Sequence, residues 1–250
     1  MQGCGRKETA SAERAAAKKG IDEGQGMIKA VIFDMDGVLF DTEGIMKDGC
    51  MKAAREMNFV LTEEQLAQMR GSTRDRSAAL FDKWYQGKVD YDQGREIRSK
   101  YMDDYITLHS VPKKKGLIEL LEFLKNQYIP AAVATSTARK RASHLWDLAG
   151  ITPYLSASVC GDEITACKPD PEIFLKAAQA LHTAPDQCLI VEDSINGLKA
   201  ARASHGISCM VPDLTPYTHE LEPFCDYVCH DLEEIISLIR DSRTSFSPAP

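Results

Sequence analysis

Six short apolar runs, most of them separated by a helical pattern, restrict this chain to an α/β sheet protein. They are 27–33 (MIKAVIF), 129–134 (IPAAVA), 157–160 (ASVC), 188–191 (CLIV), 206–211 (GISCMV) and 226–229 (DYVC). Short apolar runs without polar alternation read as parallel strands buried on both faces. Helical patterns fall at 117–127, 138–149 (closed by Gly150), 171–181, 194–203 and 232–240. Pro171 opens the third of these at a first-turn position, where proline is tolerated. Such alternation implies right-handed βαβ units and a doubly wound parallel sheet.

One stretch breaks the alternation. From Glu43 to about Pro112 there is no strand signal, only amphipathic helical pattern. The spacing predicts helices at 44–58, 62–69, 73–85 and 91–108, with Thr62 and Gln65 forming a capping box at the second start. A small all-α unit (43–112) is therefore expected inside an α/β core (27–42 and 113–241). The first 26 residues read as an Ala/Lys/Glu/Gly tail, briefly helical over 9–19, and 242–250 as a Ser/Pro tail.

Composition narrows the partners. A formal charge of -7 weighs against nucleic acid, which needs a basic face. Lys113-Lys114-Lys115 is the local exception and reads as a solvated loop. No run reaches the roughly 18 apolar residues of a membrane span. The first 26 residues lack a secretory core, and Glu8, Glu13, Asp22 and Glu23 make them too acidic for a transit peptide. Eight scattered cysteines without CxxC pairs point to reduced thiols. Cys225, Cys229 and His230 have a metal-like spacing but lack a fourth ligand. The cytoplasm is the expected compartment, and a small molecule the expected partner.

Ligands of doubly wound sheets bind beyond the carboxyl ends of the strands. The first strand ends in Asp34-Met35-Asp36-Gly37 and the second in Thr135-Ser136-Thr137. The loop after the third carries Lys168, and the fourth ends in Glu192-Asp193-Ser194. Any one of these is an ordinary cap or surface residue. Together they bring carboxylates, hydroxyls and one lysine to a single edge, the mixture that phosphoryl transfer needs. A carboxylate attacking a phosphate dianion meets repulsion of about 4 kcal/mol per charge pair at 4 Å and an effective dielectric near 20. A divalent cation reverses that sign, and an all-oxygen ligand set with phosphate favours Mg²⁺. Asp34, Glu192 and Asp193 are accordingly expected on the metal, and Asp34 as a nucleophile forming an aspartyl phosphate. Lys168, Thr135 and backbone N–H groups near Ser136 are expected on the phosphate oxygens, leaving Asp36 as general acid/base.

Four segments, FDMDGVLFDTE (33–43), VATST (133–137), KPDPEIF (168–174) and VEDSINGLKAA (191–201), resemble the haloacid dehalogenase superfamily in its branch of phosphatases and β-phosphoglucomutases. The resemblance covers about residues 28 to 240. It implies a Rossmann-like core, Mg²⁺ and a mobile helical cap inserted after the first strand. By position it makes Asp34 the nucleophile and a metal ligand, and Asp36 the acid/base with its backbone carbonyl on the metal. Thr135, Ser136 and Lys168 take the phosphate, and Glu192 and Asp193 complete the metal site. In the segment 70–74, Arg74 matches the arginine with which mutases grip a second phosphate. Two departures weaken a mutase reading. Met46 stands where mutases carry a histidine, and it cannot shuttle a proton. Thr137-Ala138-Arg139 replaces their Ser-Lys-Asn. The sequence thus favours a phosphomonoester hydrolase for a small metabolite such as a sugar phosphate, with a β-phosphoglucomutase-type isomerase as the alternative. A non-enzymatic phospho-Asp receiver module would have no need of Asp36 or a cap.

Overall fold

The computed structural model describes residues 27–69 and 72–244. The readings for 1–26 and for the last six residues fall outside this range, as do Arg70 and Gly71.

Six parallel strands form one sheet in the order β3-β2-β1-β4-β5-β6. They are β1 (Ala30–Phe33), β2 (Ala131–Thr135), β3 (Ala157–Cys160), β4 (Cys188–Glu192), β5 (Ile207–Met210) and β6 (Tyr227–Val228). The chain runs from β1 to β2 and β3 on one side, then returns to place β4 on the other flank of β1. This is a Rossmann-like α/β sheet with its switch point at the end of β1.

Side-chain alternation along each strand builds two separate cores. Val31, Phe33, Val133, Leu189 and Val191 face helices α5 (Leu117–Asn126), α6 (Arg139–Ala149) and α9 (Leu232–Thr244), through Leu120, Leu124, Trp146 and Ile235. Ala30, Ile32, Ala132, Ala134 and Ile190 face α7 (Glu172–Ala180) and α8 (Ile195–Ala203), through Phe174, Ala177 and Ala200. Each large aliphatic side chain buried in this way contributes about 1.5–3 kcal/mol. Between β1 and α5 come four helices with an apolar cluster of their own: α1 (Glu43–Glu56), α2 (Glu63–Met69), α3 (Arg74–Tyr85) and α4 (Tyr91–His109). Phe59 and Phe81 meet edge to face at its centre, with Tyr85 and Tyr91 against Phe81. The expected capping box is present at α2: Thr62 N donates to Gln65 Oε1 at 2.9 Å, and Gln65 N to Thr62 Oγ1 at 3.2 Å.

Where this helical insert leaves and rejoins the sheet layer, the two chain passages lie side by side. Asp41 N donates to Pro112 O at 2.9 Å, and Lys114 N to Leu39 O at 3.0 Å. Three sequence expectations need correcting. The helix α9 extends past Arg240 to Thr244, because Ser242 continues the buried stripe of Leu232, Ile235 and Ile239. The strand β6 shrinks to two residues at the sheet edge. The lysine run is not simply solvated: Lys114 is largely buried against Asp213 at 2.8 Å, and Lys115 pairs with Asp231 at 2.7 Å. Seven cysteines are described, all with free thiols, and Cys229 Sγ sits 3.6 Å from Cys209 Sγ. Among the described residues no helix is long and apolar enough to cross a membrane.

Candidate active site

Because β1 and β4 are neighbours in register, their carboxyl ends deliver Asp34 and Glu192-Asp193 to one spot. One ligand oxygen from each of Asp34, Glu192 and Asp193 lies within 4.8 Å of the others, and all three residues are buried. No other group of three His, Cys, Asp or Glu side chains comes together this way among the described residues. The Lys168 ammonium, 1% exposed, sits beneath them. It donates to Asp34 Oδ1 and Glu192 Oε1, both at 2.5 Å, and to Ala134 O at 3.3 Å. Its Nζ also lies over the Phe174 ring, 4.8 Å from the centroid.

The charges are unbalanced, three carboxylates against one ammonium. Burial pushes the Asp34 carboxyl up to about 7, with Glu192 and Asp36 adding to the rise and Lys168 opposing it. Burial, followed by Glu192 and Asp34, holds Asp193 well above the usual carboxylate range. Burial works against the Lys168 charge, but Asp34 and Glu192 outweigh it and keep the ammonium protonated. A dry site with surplus negative charge and only oxygen donors fits a hard divalent cation.

Glu192 is the most constrained of the three acids. Its Oε2 accepts from Asp193 N at 3.0 Å, Ser194 N at 3.1 Å and Ser194 Oγ at 3.0 Å, while Oε1 holds Lys168. It therefore fixes the lysine and the turn that leads into α8 at once. Gly197 makes room for it, since a Cβ there would come within 1.9 Å of the Glu192 carboxylate. Gly37, at φ +88°, does the same for Asp193, whose Oδ2 would lie 2.5 Å from a Cβ.

The second aspartate of the first strand end is held apart from this cluster. Thr42 Oγ1 donates to Asp36 Oδ1 at 2.6 Å, and Thr137 Oγ1 to Oδ2 at 2.9 Å. Thr42 begins the insert and Thr137 ends the turn after β2, so Asp36 is tied to both sides of the junction. Thr135 is buried and its hydroxyl accepts from Thr137 N at 3.0 Å, which leaves its proton free to donate. Thr135, Ser136 and Ala138 line the cleft between sheet edge and insert, with Met46 on the opposite wall. Arg139 is turned away, paired to Glu163 at 2.6 Å.

Arg74 also borders this cleft of about 410 Å³, but its guanidinium is already engaged. It donates to Asp92 through Nε and Nη2, and to Asp75 through Nη1 at 2.8 Å. Sequence reading missed Thr42, Thr137, Gly37 and Gly197. All four lie inside or beside segments it had singled out, yet only tertiary contact reveals their partners. It also missed two ties between insert and core: Arg76 Nη1 to Lys168 O at 3.1 Å, and Arg141 Nη1 to Asp103 Oδ1 at 2.8 Å.

This chain belongs to the haloacid dehalogenase-like hydrolase family, whose sequence profile matches residues 31–211. Hexitol phosphatase A of Escherichia coli K12 is 30% identical over 209 residues, 83% of this chain and 93% of its own. A phosphorylated carbohydrates phosphatase of Thermotoga maritima is 29% identical over 179 residues, 71% of this chain and 82% of its own. A β-phosphoglucomutase from Clostridium difficile superposes with a TM-score of 0.74, covering 88% of this chain and 99% of its own at 21% identity, a likeness of fold. Within the family the chain falls in the phosphatase and β-phosphoglucomutase branch, and it is a phosphatase.

Proposed function

We propose that the chain is a Mg²⁺-dependent phosphomonoester hydrolase that acts on a small phosphorylated metabolite of the sugar-phosphate kind, through an aspartyl phosphate on Asp34. The observation that carries this reading is the buried Asp34–Lys168–Glu192 bridge with Asp193 inside 4.8 Å. Three carboxylates against one ammonium fit Mg²⁺, for which Asp34, Glu192, Asp193 and the Asp36 carbonyl are the assigned ligands. Glu192, with both oxygens engaged, orients Lys168 and the turn that carries Asp193. Bound there, Mg²⁺ would offset the repulsion between the Asp34 carboxylate and the phosphate dianion.

The protein's own groups divide the remaining work. One Asp34 oxygen attacks phosphorus as the ester oxygen departs with a proton from Asp36. Asp36 then takes a proton from water, whose oxygen attacks the same phosphorus, releasing inorganic phosphate and restoring Asp34. Lys168, the Thr135 hydroxyl and the backbone near Ser136 hold phosphate oxygens. Thr42 and Thr137 fix the direction in which Asp36 points. The four-helix insert serves as a cap over the cleft, with Arg76 and Arg141 docking it on the core. The free thiols agree with a reducing, cytoplasmic setting.

The mutase fold neighbour supports a second reading, isomerisation by a β-phosphoglucomutase-type reaction. Met46 in the cleft wall and the engagement of Arg74 by Asp92 and Asp75 speak against it. The test is a phosphate-release screen over phosphorylated metabolites, with Mg²⁺ and with EDTA, alongside glucose 1-phosphate plus a bisphosphate primer. Metal-dependent phosphate release is expected. Isomer formation without phosphate release would overturn the hydrolase reading.

A further inference from the structure

The segment that carries Lys168 has no regular structure of its own. Residues 161–171 link β3 to α7 through turns and irregular backbone, yet the ammonium at 168 is held 2.5 Å from two carboxylates. Strand and helix ladders stop at the two ends of this loop, so other groups must satisfy its backbone and fix its path. Glu172, the first residue of α7, folds back over it. Its Oε2 accepts from Thr165 N at 2.9 Å, Thr165 Oγ1 at 2.9 Å and Ala166 N at 2.6 Å. Its Oε1 pairs at 2.6 Å with Lys176, one turn further along α7, whose ammonium also donates to Glu163 O at 2.8 Å.

The other end of the loop is tied to the turn after β2. Arg139, at the start of α6, donates through Nε and Nη2 to Glu163 Oε1 and Oε2 at 2.8 and 2.6 Å. Glu163 Oε2 also accepts from Cys160 N at 2.9 Å, and Gly161 N donates to Thr137 O at 3.1 Å. A series of contacts, Arg139 to Glu163 to Lys176 to Glu172, therefore runs along the loop from the end of β2 to Ala166, just ahead of Lys168. Single exposed ion pairs contribute little, but a bidentate arginine–carboxylate pair within a network is the exception. Backbone N–H groups donating to a carboxylate are likewise among the stronger hydrogen bonds.

We propose that Glu172 is a positioning residue for Lys168, with the Arg139–Glu163 pair bracing the same loop against the turn that holds Thr135 and Ser136. Glu172 touches no substrate in this reading and acts only through the place it gives the lysine. The proposal rests on the phosphatase reading above, in which Lys168 holds a phosphate oxygen. A catalytic group displaced by about 1 Å can cost on the order of a hundredfold in rate. The experiment measures kcat and KM on p-nitrophenyl phosphate and sorbitol 6-phosphate, with Mg²⁺, for wild type, Glu172→Ala, Glu172→Gln and Arg139→Met. Rates are taken per folded molecule, well below each melting point, and amide hydrogen exchange over residues 161–170 is followed on the same proteins.

In Glu172→Ala, kcat is expected to fall about tenfold or more while KM changes less, because the lysine's hold matters most as charge shifts in the transition state. The amides of Thr165 and Ala166 exchange faster in that variant. Glu172→Gln keeps an accepting oxygen and recovers part of both losses, and Arg139→Met shows a smaller loss of kcat in the same direction. A merely structural role would reduce the amount of folded enzyme and leave kcat per folded molecule at the wild-type value, which overturns the proposal. So does a loss of kcat in Glu172→Ala without faster exchange at Thr165 and Ala166, or an equal loss in Glu172→Gln. A wild-type chain that releases phosphate from neither ester overturns the phosphatase reading and the catalytic role of Glu172 with it, while unchanged exchange in Glu172→Ala overturns the brace alone.

Discussion

Removing one negative charge from the acid cluster should stabilise the metal-free protein while destroying its response to metal. The perturbation is Asp193→Asn, close in shape and uncharged. Asp193 faces Glu192 and Asp34 with Lys168 as the one offsetting cation, which leaves a single net repulsion. At 4.8 Å and an effective dielectric near 20, that repulsion is about 3.5 kcal/mol. Proton linkage gives the same direction. Burial and its acidic neighbours raise the folded Asp193 carboxyl well above its unfolded value. The folded protein therefore holds a proton that the unfolded chain gives up, and stability is lost as pH rises above about 4. The loss is about 1.4 kcal/mol per pH unit until the folded group ionises, and an asparagine escapes it. In EDTA, then, wild type and variant should melt together near pH 4 and separate as pH rises, the variant being higher by roughly 7–14 °C at the full 3.5 kcal/mol. With Mg²⁺ at a hundred times its Kd, wild type gains about 2.7 kcal/mol and the variant far less. Thermal melts from pH 4 to pH 8 with EDTA or Mg²⁺ read both effects. An Asp193→Asn protein that melts below wild type in EDTA at pH 8 would refute the reasoning, because the carboxylate would then be held rather than repelled.

Asp34→Asn should abolish turnover and leave the fold intact, and retained activity above a few per cent in a phosphate-release assay would contradict its assignment as nucleophile. Gly197→Ala drives a Cβ toward the Glu192 carboxylate, so a stability loss of about 1–3 kcal/mol is expected in denaturant titrations, together with slower turnover as Lys168 shifts. Mg²⁺ affinity should rise with pH through about 7, where Asp34 ionises. Below that point each displaced proton weakens binding up to about tenfold per pH unit, and equal calorimetric affinities at pH 6 and pH 8 would count against it.

Much of the architecture was legible in the sequence because parallel strands buried on both faces leave an unmistakable apolar run, as in AVIF of β1 and CLIV of β4. The residues at the strand ends were legible for the same reason: once Phe33 and Val191 are placed, Asp34 and Glu192 must follow at the sheet edge. The insert showed itself through helical period and the Thr62–Gln65 box. Other features escaped because they depend on which neighbour a helix face meets. Nothing local announces that Arg74 will be bound by Asp92, eighteen residues away, or that Arg98 and Arg141 will face one cleft from different layers. Glu192 is similar. Its type places it with the other acids around a cation, and only the fold shows that the N–H groups of the turn after it bind one of its oxygens and Lys168 the other. The length of α9 was misjudged because Ser242 is polar by type but buried by position, with its hydroxyl donating to Ile239 O at 2.8 Å.

The side-by-side passage of the chain at Asp41 and Pro112 has a consequence for how such enzymes diversify. Seen from the sheet, everything between those two residues is a loop whose mouth is closed by a 2.9 Å hydrogen bond. Loop-closure cost rises slowly with loop length. Lineages can therefore trade the part of this segment beyond Thr42 for one of another size or shape without disturbing strand register or the hydrogen bond that holds Asp36. The strand-end acids and most of the helical insert are thus written in separable stretches of the gene, and selection can rewrite one while leaving the other untouched.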